Sequence, residues 1–197
     1  MARILIVYGT TEGHTRSIAR RIAATVMAHG HMATVVDATE PRIATPGYHA
    51  CIVCASIHQG KHQSAVMHFV RDNLAFLDAV PTAFFSVSLT AALPEPDQQA
   101  AARACADEFA HDSGWSPGNI FLVAGALKYT EYDFMKRILM RLIAQRKGGD
   151  TDTTHDYEYT DWTRLRDDTI AFLASARLAI ETSHEAARLV AMSPIMN

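Results

Sequence analysis

The residues with the clearest capacity for chemistry form a turn directly after the first apolar run, and they are Gly9, Thr10, Thr11, Glu12, Gly13, His14 and Thr15. This turn joins a predicted strand at 4–8 to a predicted helix at 15–28. The first N–H groups of a helix have no partner within it, and together with the helix dipole they attract anions. The three threonines add hydroxyl donors, and Gly13 allows the main chain to approach a ligand closely. The pattern favours a phosphate-binding loop.

Considered alone, the turn has a second interpretation, because threonine is also a common cap at the start of a helix. Other nucleotide and catalytic signatures are missing from the sequence: there is no GxGxxG, no GxxxxGK[ST] and no GxSxG. A phosphorylation receiver could use Lys128, but it would also need acidic residues after the first strand, where Tyr8 and Gly9 stand. Phosphate binding and a simple capped turn therefore remain the two alternatives.

Strand and helix patterns alternate along the rest of the chain. Short apolar runs predict strands at 4–8, 33–38, 50–57, 82–89 and 120–127. Apolar residues at helical spacing predict helices at 15–28, 64–77, 98–112 and 161–180. Such alternation is typical of right-handed βαβ units around a mostly parallel sheet that is covered on both faces.

Composition limits the class of protein and its partners. The 197 residues are enough for one domain, which we place at 1–180, followed by a tail of unassigned role at 181–197. A formal net charge of -3 predicts no nucleic-acid partner. We see neither a leader peptide nor an apolar run of the ~20 residues that span a bilayer, so we expect a cytoplasmic protein.

Cysteine and histidine do not predict a metal site. Cys51 and Cys54 fall on one predicted strand, and residues three apart on a strand point to opposite faces. We therefore expect them to be buried structural residues. His58, His62 and His68 have no third ligand at a recognisable spacing, so we expect them to be surface or loop histidines.

About thirty residues, 128–160, interrupt the alternation before the last helix, and a segment of this length is usually functional. We interpret 156–160 as the resumed half of strand five. Within the segment, residues 134–147 form an amphipathic pattern with five cations and no anions. Such a helix either packs on its own domain or lies on an anionic membrane surface. Trp162, at the start of the last helix, is predicted to be a core residue rather than a cofactor stack.

Several of these segments resemble known proteins. Thr10–Thr15 matches the T-x-T-G-x-T phosphate loop of the flavodoxin family, with Glu12 at its third position. Further blocks, in order along the chain, resemble the menaquinone-dependent protoporphyrinogen IX dehydrogenase family, and they lie at 55–65, 84–89, 123–129, 148–153 and 159–162.

The resemblance implies a fold and a cofactor. The fold would be a three-layer α/β sandwich of the long-chain flavodoxin type, with five parallel strands in the order 2-1-3-4-5 and an insertion that splits strand five. FMN would lie at the carboxyl ends of the strands, with its phosphate on Thr10–Thr15. Near its ring would lie Ala55, Ser56, Ile57, His58, Gly60, Ser86, Val87, Ser88 and Leu89, with Asp152 and Thr153 at the same edge. Gln59 stands where relatives can place an aromatic residue.

The resemblance also implies an activity. It points to an FMN-dependent oxidoreductase of heme biosynthesis that takes electrons from a protoporphyrinogen-like tetrapyrrole and passes them to a membrane quinone. We name no catalytic acid or base, because no group of residues requires one. Two alternatives remain open, an electron carrier for protein partners and a binding module without cofactor. The oligomeric state is also open, a homo-oligomer included. The location would be the cytoplasm, at the inner face of the membrane if 134–147 binds lipid.

Overall fold

The apolar runs form the strands of an α/β sheet in the computed structural model, which describes residues 1–58, 60–127 and 157–177. The strands are β1 Arg3–Gly9, β2 Met32–Asp37, β3 Ala50–His58, β4 Lys61–His62, β5 Thr82–Ser88, β6 Asn119–Ala124, β7 Ala126–Leu127 and β8 Tyr157–Glu158. The helices are α1 His14–Ala28, α2 Ser64–Asp72, α3 Leu74–Ala79, α4 Pro96–Ser113 and α5 Trp162–Ser175, and a 3₁₀ turn lies at Thr90–Ala92.

The main sheet runs β2-β1-β3-β5-β6 with every neighbouring pair parallel. This confirms the order 2-1-3-4-5 for the five long strands. The register places Gly9 opposite Ala55, Ala55 opposite Ser86, and Ser88 opposite Ala124. The carboxyl ends of four strands therefore meet at one edge, where the phosphate loop also begins.

Each face of the sheet carries its own apolar core, which explains the near-continuous apolar strands. On one face, Ile4 and Ile6 pack with residues of α1 and α5, among them Ile18 and Phe172. On the other face, Leu5 and Val7 pack with residues of α2, α3 and α4, listed here as Val66, Phe69, Val70, Leu77, Ala106 and Phe109. Three layers are thereby established.

Cys51 and Cys54 confirm the alternation that the sequence predicted. Both are fully buried free thiols, Cys54 in the core under α1 and α5 and Cys51 in the opposite core. Burial raises the pKa of both thiols.

These thiols should differ in reactivity from Cys105, which is only partly buried. Because the thiolate is the reactive form, we expect a thiol reagent to modify Cys105 first in the native protein. Cys51 and Cys54 should react only at the rate of unfolding. Mass spectrometry of the time course checks this, and early modification at Cys51 or Cys54 would contradict it.

Three boundaries differ from the predictions. The predicted helix at 64–77 is two helices, because the amide of Asn73 donates to the carbonyl of Phe69 and ends α2. The last helix ends at Ser175 rather than at 180, and Arg177 follows with φ 52°. The predicted strand at 120–127 leaves the main sheet after Ala124.

The interpretation of 156–160 as resumed strand five is wrong. Residues 157–158 pair antiparallel with 126–127 in a separate two-stranded sheet. The N–H of Gly125 donates to the carbonyl of Ser88, and the carbonyl of Gly125 accepts from the N–H of Tyr159. The chain therefore leaves the main sheet at Gly125, and residues 126–127 then pair with residues 157–158. Residues 134–147 lie outside the described residues.

Candidate functional site

The phosphate loop is built at the junction of β1 and α1. Gly13 is the N-cap of α1 with φ 88°, a conformation that glycine adopts without strain, and its N–H donates to Oγ1 of Thr10 at 2.9 Å. Thr10 thus closes the turn, but no side chain in the described part of the chain caps the helix itself. A Cβ built on Gly13 would meet no atom of the described residues within 4 Å. The space beside Gly13 at the start of α1 is therefore open, and with no side chain of the described residues on its N–H groups this favours anion binding over the simple capped turn.

Thr15 provides the clearest test of whether this loop fits a phosphate. Its side chain is 1% exposed, and among the described residues its hydroxyl oxygen has no hydrogen-bond partner. Burying an unpaired hydroxyl costs about 1–3 kcal/mol. A phosphate oxygen at the start of α1 is a partner of the required kind, so the residues present fit a phosphate ester.

His14 connects the loop to the segment that precedes α5. Its Nε2 lies 2.7 Å from Oγ1 of Thr160, and that hydroxyl donates to the carbonyl of Ala124 at 2.7 Å. Since the single hydroxyl proton is used on the carbonyl, Nε2 of His14 must be the donor in this pair. Burial lowers the pKa of His14, with an opposing contribution from Glu158. The neutral Nε2–H tautomer therefore joins the phosphate loop to the end of β6.

Trp162 strengthens the same junction. Its ring centroid lies 6.0 Å from that of His14, and the guanidinium of Arg21 lies 5.5 Å from its centre. The side chain is partly buried against the core under α1 and α5. Trp162 thus packs at the edge of this core rather than inside it, a less buried position than the sequence predicted.

The two segments expected near the ring occupy the ends of β3 and β5. Ala55 and Val87 are buried in the opposite cores, so only their main chain faces the sheet edge. Ser88 accepts a hydrogen bond from the N–H of Ala91, and Leu89 is buried.

The end of β3 is more open. Ser56 and Ile57 are half-buried, His58 is exposed, and Gly60 has φ 80° in the turn to β4. This hairpin was not predicted from the sequence. Gln59, Asp152 and Thr153 lie outside the described residues.

Gln63 was also missed by the sequence analysis. Its amide nitrogen donates to Oγ1 of Thr11 at 3.3 Å and to Oγ of Ser56. It therefore links the phosphate loop to the end of β3. In the sequence analysis this residue falls only within the block 55–65 that resembles known proteins.

The expectation that His62 is a surface or loop residue is wrong. Its ring lies 5.1 Å from that of Phe84 and 5.0 Å from that of Phe109, and Nε2 is 3.0 Å from Oγ of Ser86. The two-residue strand β4 places it there, and the sequence gives no signal for so short a strand. Burial lowers the pKa of His62 to about 4.

This histidine makes stability depend on pH. Its ordinary pKa is 6.5, so the unfolded chain takes up the proton at a higher pH than the native chain does. The unfolding free energy should therefore fall as the pH is lowered from 6.5 to about 4. We expect His62→Gln to flatten this part of the profile, as measured by urea unfolding at a series of pH values. Ser86→Ala should lower stability while the slope remains, and an unchanged slope in His62→Gln would contradict the assignment.

Within residues 1–58, 60–127 and 157–177, no three His, Cys, Asp or Glu side chains converge on a metal position. In the same residues, no helix has the length and hydropathy needed to cross a bilayer.

Comparison with known proteins accounts for the arrangement of loop and strand ends. The family model described as Flavodoxin domain matches residues 5–154. A protein of Escherichia coli strain K12 named Protoporphyrinogen IX dehydrogenase (quinone) is 35% identical over 169 residues, which is 83% of this chain and 90% of that protein. The chain belongs to the flavodoxin family, with the quinone-linked protoporphyrinogen IX dehydrogenases. The resemblance noted in the sequence is thereby confirmed.

Further members of the family extend the comparison. A Leishmania major protein of the same name is 34% identical over 168 residues, covering 83% of this chain and 71% of that protein. Among solved structures, a short-chain flavodoxin associated with a PDU bacterial microcompartment has a TM-score of 0.52 at 14% identity, covering 89% of this chain and 99% of that one. Oxidised Flavodoxin 2 from Bacillus cereus has a TM-score of 0.51 at 18% identity, covering 88% and 99%. These structures establish the flavodoxin fold.

Proposed function

We propose that this flavodoxin-family protein is an FMN-dependent dehydrogenase that oxidises protoporphyrinogen IX, or a related tetrapyrrole, and passes the electrons to a quinone. The observation that carries FMN binding is the buried Thr15 hydroxyl at the start of α1, which has no hydrogen-bond partner among the described residues. The substrate class comes from the relatives that are 34–35% identical to this chain.

The proposed roles follow from the sheet edge. Thr10, Thr11 and Thr15 would hold the phosphate, together with the N–H groups that begin α1. The ends of β3 and β5 would flank the ring, and Asp152 and Thr153 would complete the edge. FMN, when bound, supplies hydride and single-electron chemistry, and the chain supplies its position and surroundings.

Membrane contact is a separate part of the proposal. A quinone acceptor is a membrane lipid, and residues 134–147 have the basic, amphipathic pattern that suits an anionic surface. We propose that this segment brings the enzyme to the inner face of the cell membrane, where it serves heme biosynthesis. A homo-oligomer would be compatible with this role.

The decisive experiment starts with the absorbance spectrum of the purified chain. We expect a flavin spectrum, or its appearance after reconstitution with FMN, followed by protoporphyrinogen oxidation that depends on an added menaquinone analogue. Tight FMN binding with no quinone-dependent turnover would contradict the dehydrogenase and favour the carrier of electrons between proteins. A chain that takes up no FMN would contradict both.

The membrane proposal has its own control. Co-sedimentation with anionic and neutral vesicles should show binding to the anionic ones only. A variant in which the five cations of 134–147 are replaced by glutamine keeps the apolar face and should lose that binding. Equal sedimentation of the two proteins would contradict a role for this segment.

A further inference from the structure

Gln63 stands between the two segments to which we assign the phosphate and the ring. It is the residue before α2, yet its side chain makes no capping hydrogen bond to that helix. Its amide nitrogen instead donates to the hydroxyls of Thr11, in the phosphate loop, and Ser56, near the end of β3. These two residues are 45 positions apart in sequence, and this side chain is in direct contact with both.

The direction of these bonds decides what the hydroxyls can do next. An amide nitrogen carries only donors, so both hydroxyl oxygens act as acceptors toward Gln63. The single proton of each hydroxyl is then available to a different acceptor. Thr11 is exposed and Ser56 is half-buried at the sheet edge, so both can meet a ligand there.

The amide oxygen of Gln63 is the other part of the observation. It is buried, and among the described residues it has no hydrogen-bond partner. It lies beside Gly9, within 3.4 Å of where a Cβ on that glycine would stand. The unpaired acceptor is unfavourable, and the two hydrogen bonds that the amide nitrogen donates offset this cost.

We propose that Gln63 is a positioning residue for the flavin nucleotide: it turns the Thr11 hydroxyl toward the phosphate and the Ser56 hydroxyl toward the remainder of the cofactor. The inference rests on the proposed binding of FMN and adds a residue that couples the two halves of that site. A consequence is that phosphate binding and ring binding are linked through one side chain.

The test compares FMN with riboflavin, which lacks the phosphate, by fluorescence titration of the full chain without cofactor. Thr11→Val should lower the affinity for FMN about tenfold and leave the affinity for riboflavin unchanged. Ser56→Ala should lower the affinity for both ligands by about the same factor. Gln63→Met should lower the affinity for both FMN and riboflavin. In the Gln63→Met background, the further effects of Thr11→Val and Ser56→Ala should shrink to less than about twofold.

Gln63→Glu provides a nearly isosteric second variant. A carboxylate accepts from both hydroxyls and so turns their protons away from the ligand, and it adds a negative charge near the phosphate. We expect this variant to lose more affinity for FMN than for riboflavin. The matched control is Asn73→Asp at the other end of α2, where the amide donates to Phe69. This control should alter thermal stability without changing the ratio of the two dissociation constants.

The outcomes separate this inference from the proposed function. Wild-type affinity for both ligands in Gln63→Met, or undiminished effects of Thr11→Val and Ser56→Ala in that background, would overturn the positioning role. A change in the ratio of the two dissociation constants in Asn73→Asp as large as that in Gln63→Glu would also overturn it. If the unaltered chain binds no FMN, the proposed function fails, and the inference fails with it.

Discussion

Thr15→Val is expected to weaken FMN binding by about 10- to 100-fold, as for the loss of one hydrogen bond to a charged group. Valine has nearly the same shape as threonine, so the buried site at the start of α1 should stay filled. The hydroxyl that has no protein partner among the described residues would be removed, and with it one donor to the phosphate. Isothermal titration of the cofactor-free chain measures the change.

The same substitution should have the opposite effect on the free protein. Removal of a buried, unpaired hydroxyl should raise the unfolding free energy of the cofactor-free chain by about 1 kcal/mol. The control is Thr169→Val, because Thr169 is fully buried and donates to the carbonyl of Leu165 at 2.7 Å. That variant should lose stability and keep its FMN affinity. Weaker binding in both variants, or a less stable Thr15→Val chain, would contradict the role of Thr15.

Gly9→Ala is expected to lower both stability and cofactor affinity. A Cβ at this position would overlap Cγ2 of Val66, on the first turn of α2. Overpacking in a filled core costs about 1–3 kcal/mol. The simplest relief is a shift of the start of α2, which would also move Gln63 away from Thr11. We expect a lower urea midpoint together with weaker FMN binding.

A second substitution distinguishes this overlap from other causes. Val66→Ala alone removes buried methyl groups and should cost about 2 kcal/mol. In the double variant, the new methyl at position 9 occupies the space left at position 66. The double variant should therefore be more stable than the sum of the single effects predicts, by about 0.5–3 kcal/mol. Strict additivity would show that the Cβ at position 9 does not meet Val66.

The agreement between sequence and structure is best for the long apolar elements. The strand at 50–57 is observed as Ala50–His58, and its two cysteines face opposite cores as the period of two requires. The helix at 98–112 is observed as Pro96–Ser113. The apolar face of a long strand or helix is buried whatever element packs on it, so the local period of apolar residues is sufficient to predict such elements.

The errors lie where a few hydrogen bonds decide the path of the chain. The break between α2 and α3 depends on one amide, that of Asn73, and the departure from the sheet after β6 depends on Gly125. No periodic pattern accompanies either event. Burial of His62 follows from a two-residue hairpin strand, which is too short to be recognised by alternation.

The sequence by itself determined the class of fold and the loop at Thr10–Thr15, because these depend on local spacing. The strand order came only from the resemblance to flavodoxins. Only the tertiary structure decided which buried polar atoms of residues 1–58, 60–127 and 157–177 have no hydrogen-bond partner there. Thr15 is buried by helix packing, and Gln63 reaches residues far from it in sequence. Hydrogen-bond satisfaction depends on neighbours that the fold brings together, and the spacing of residues along the chain does not record it.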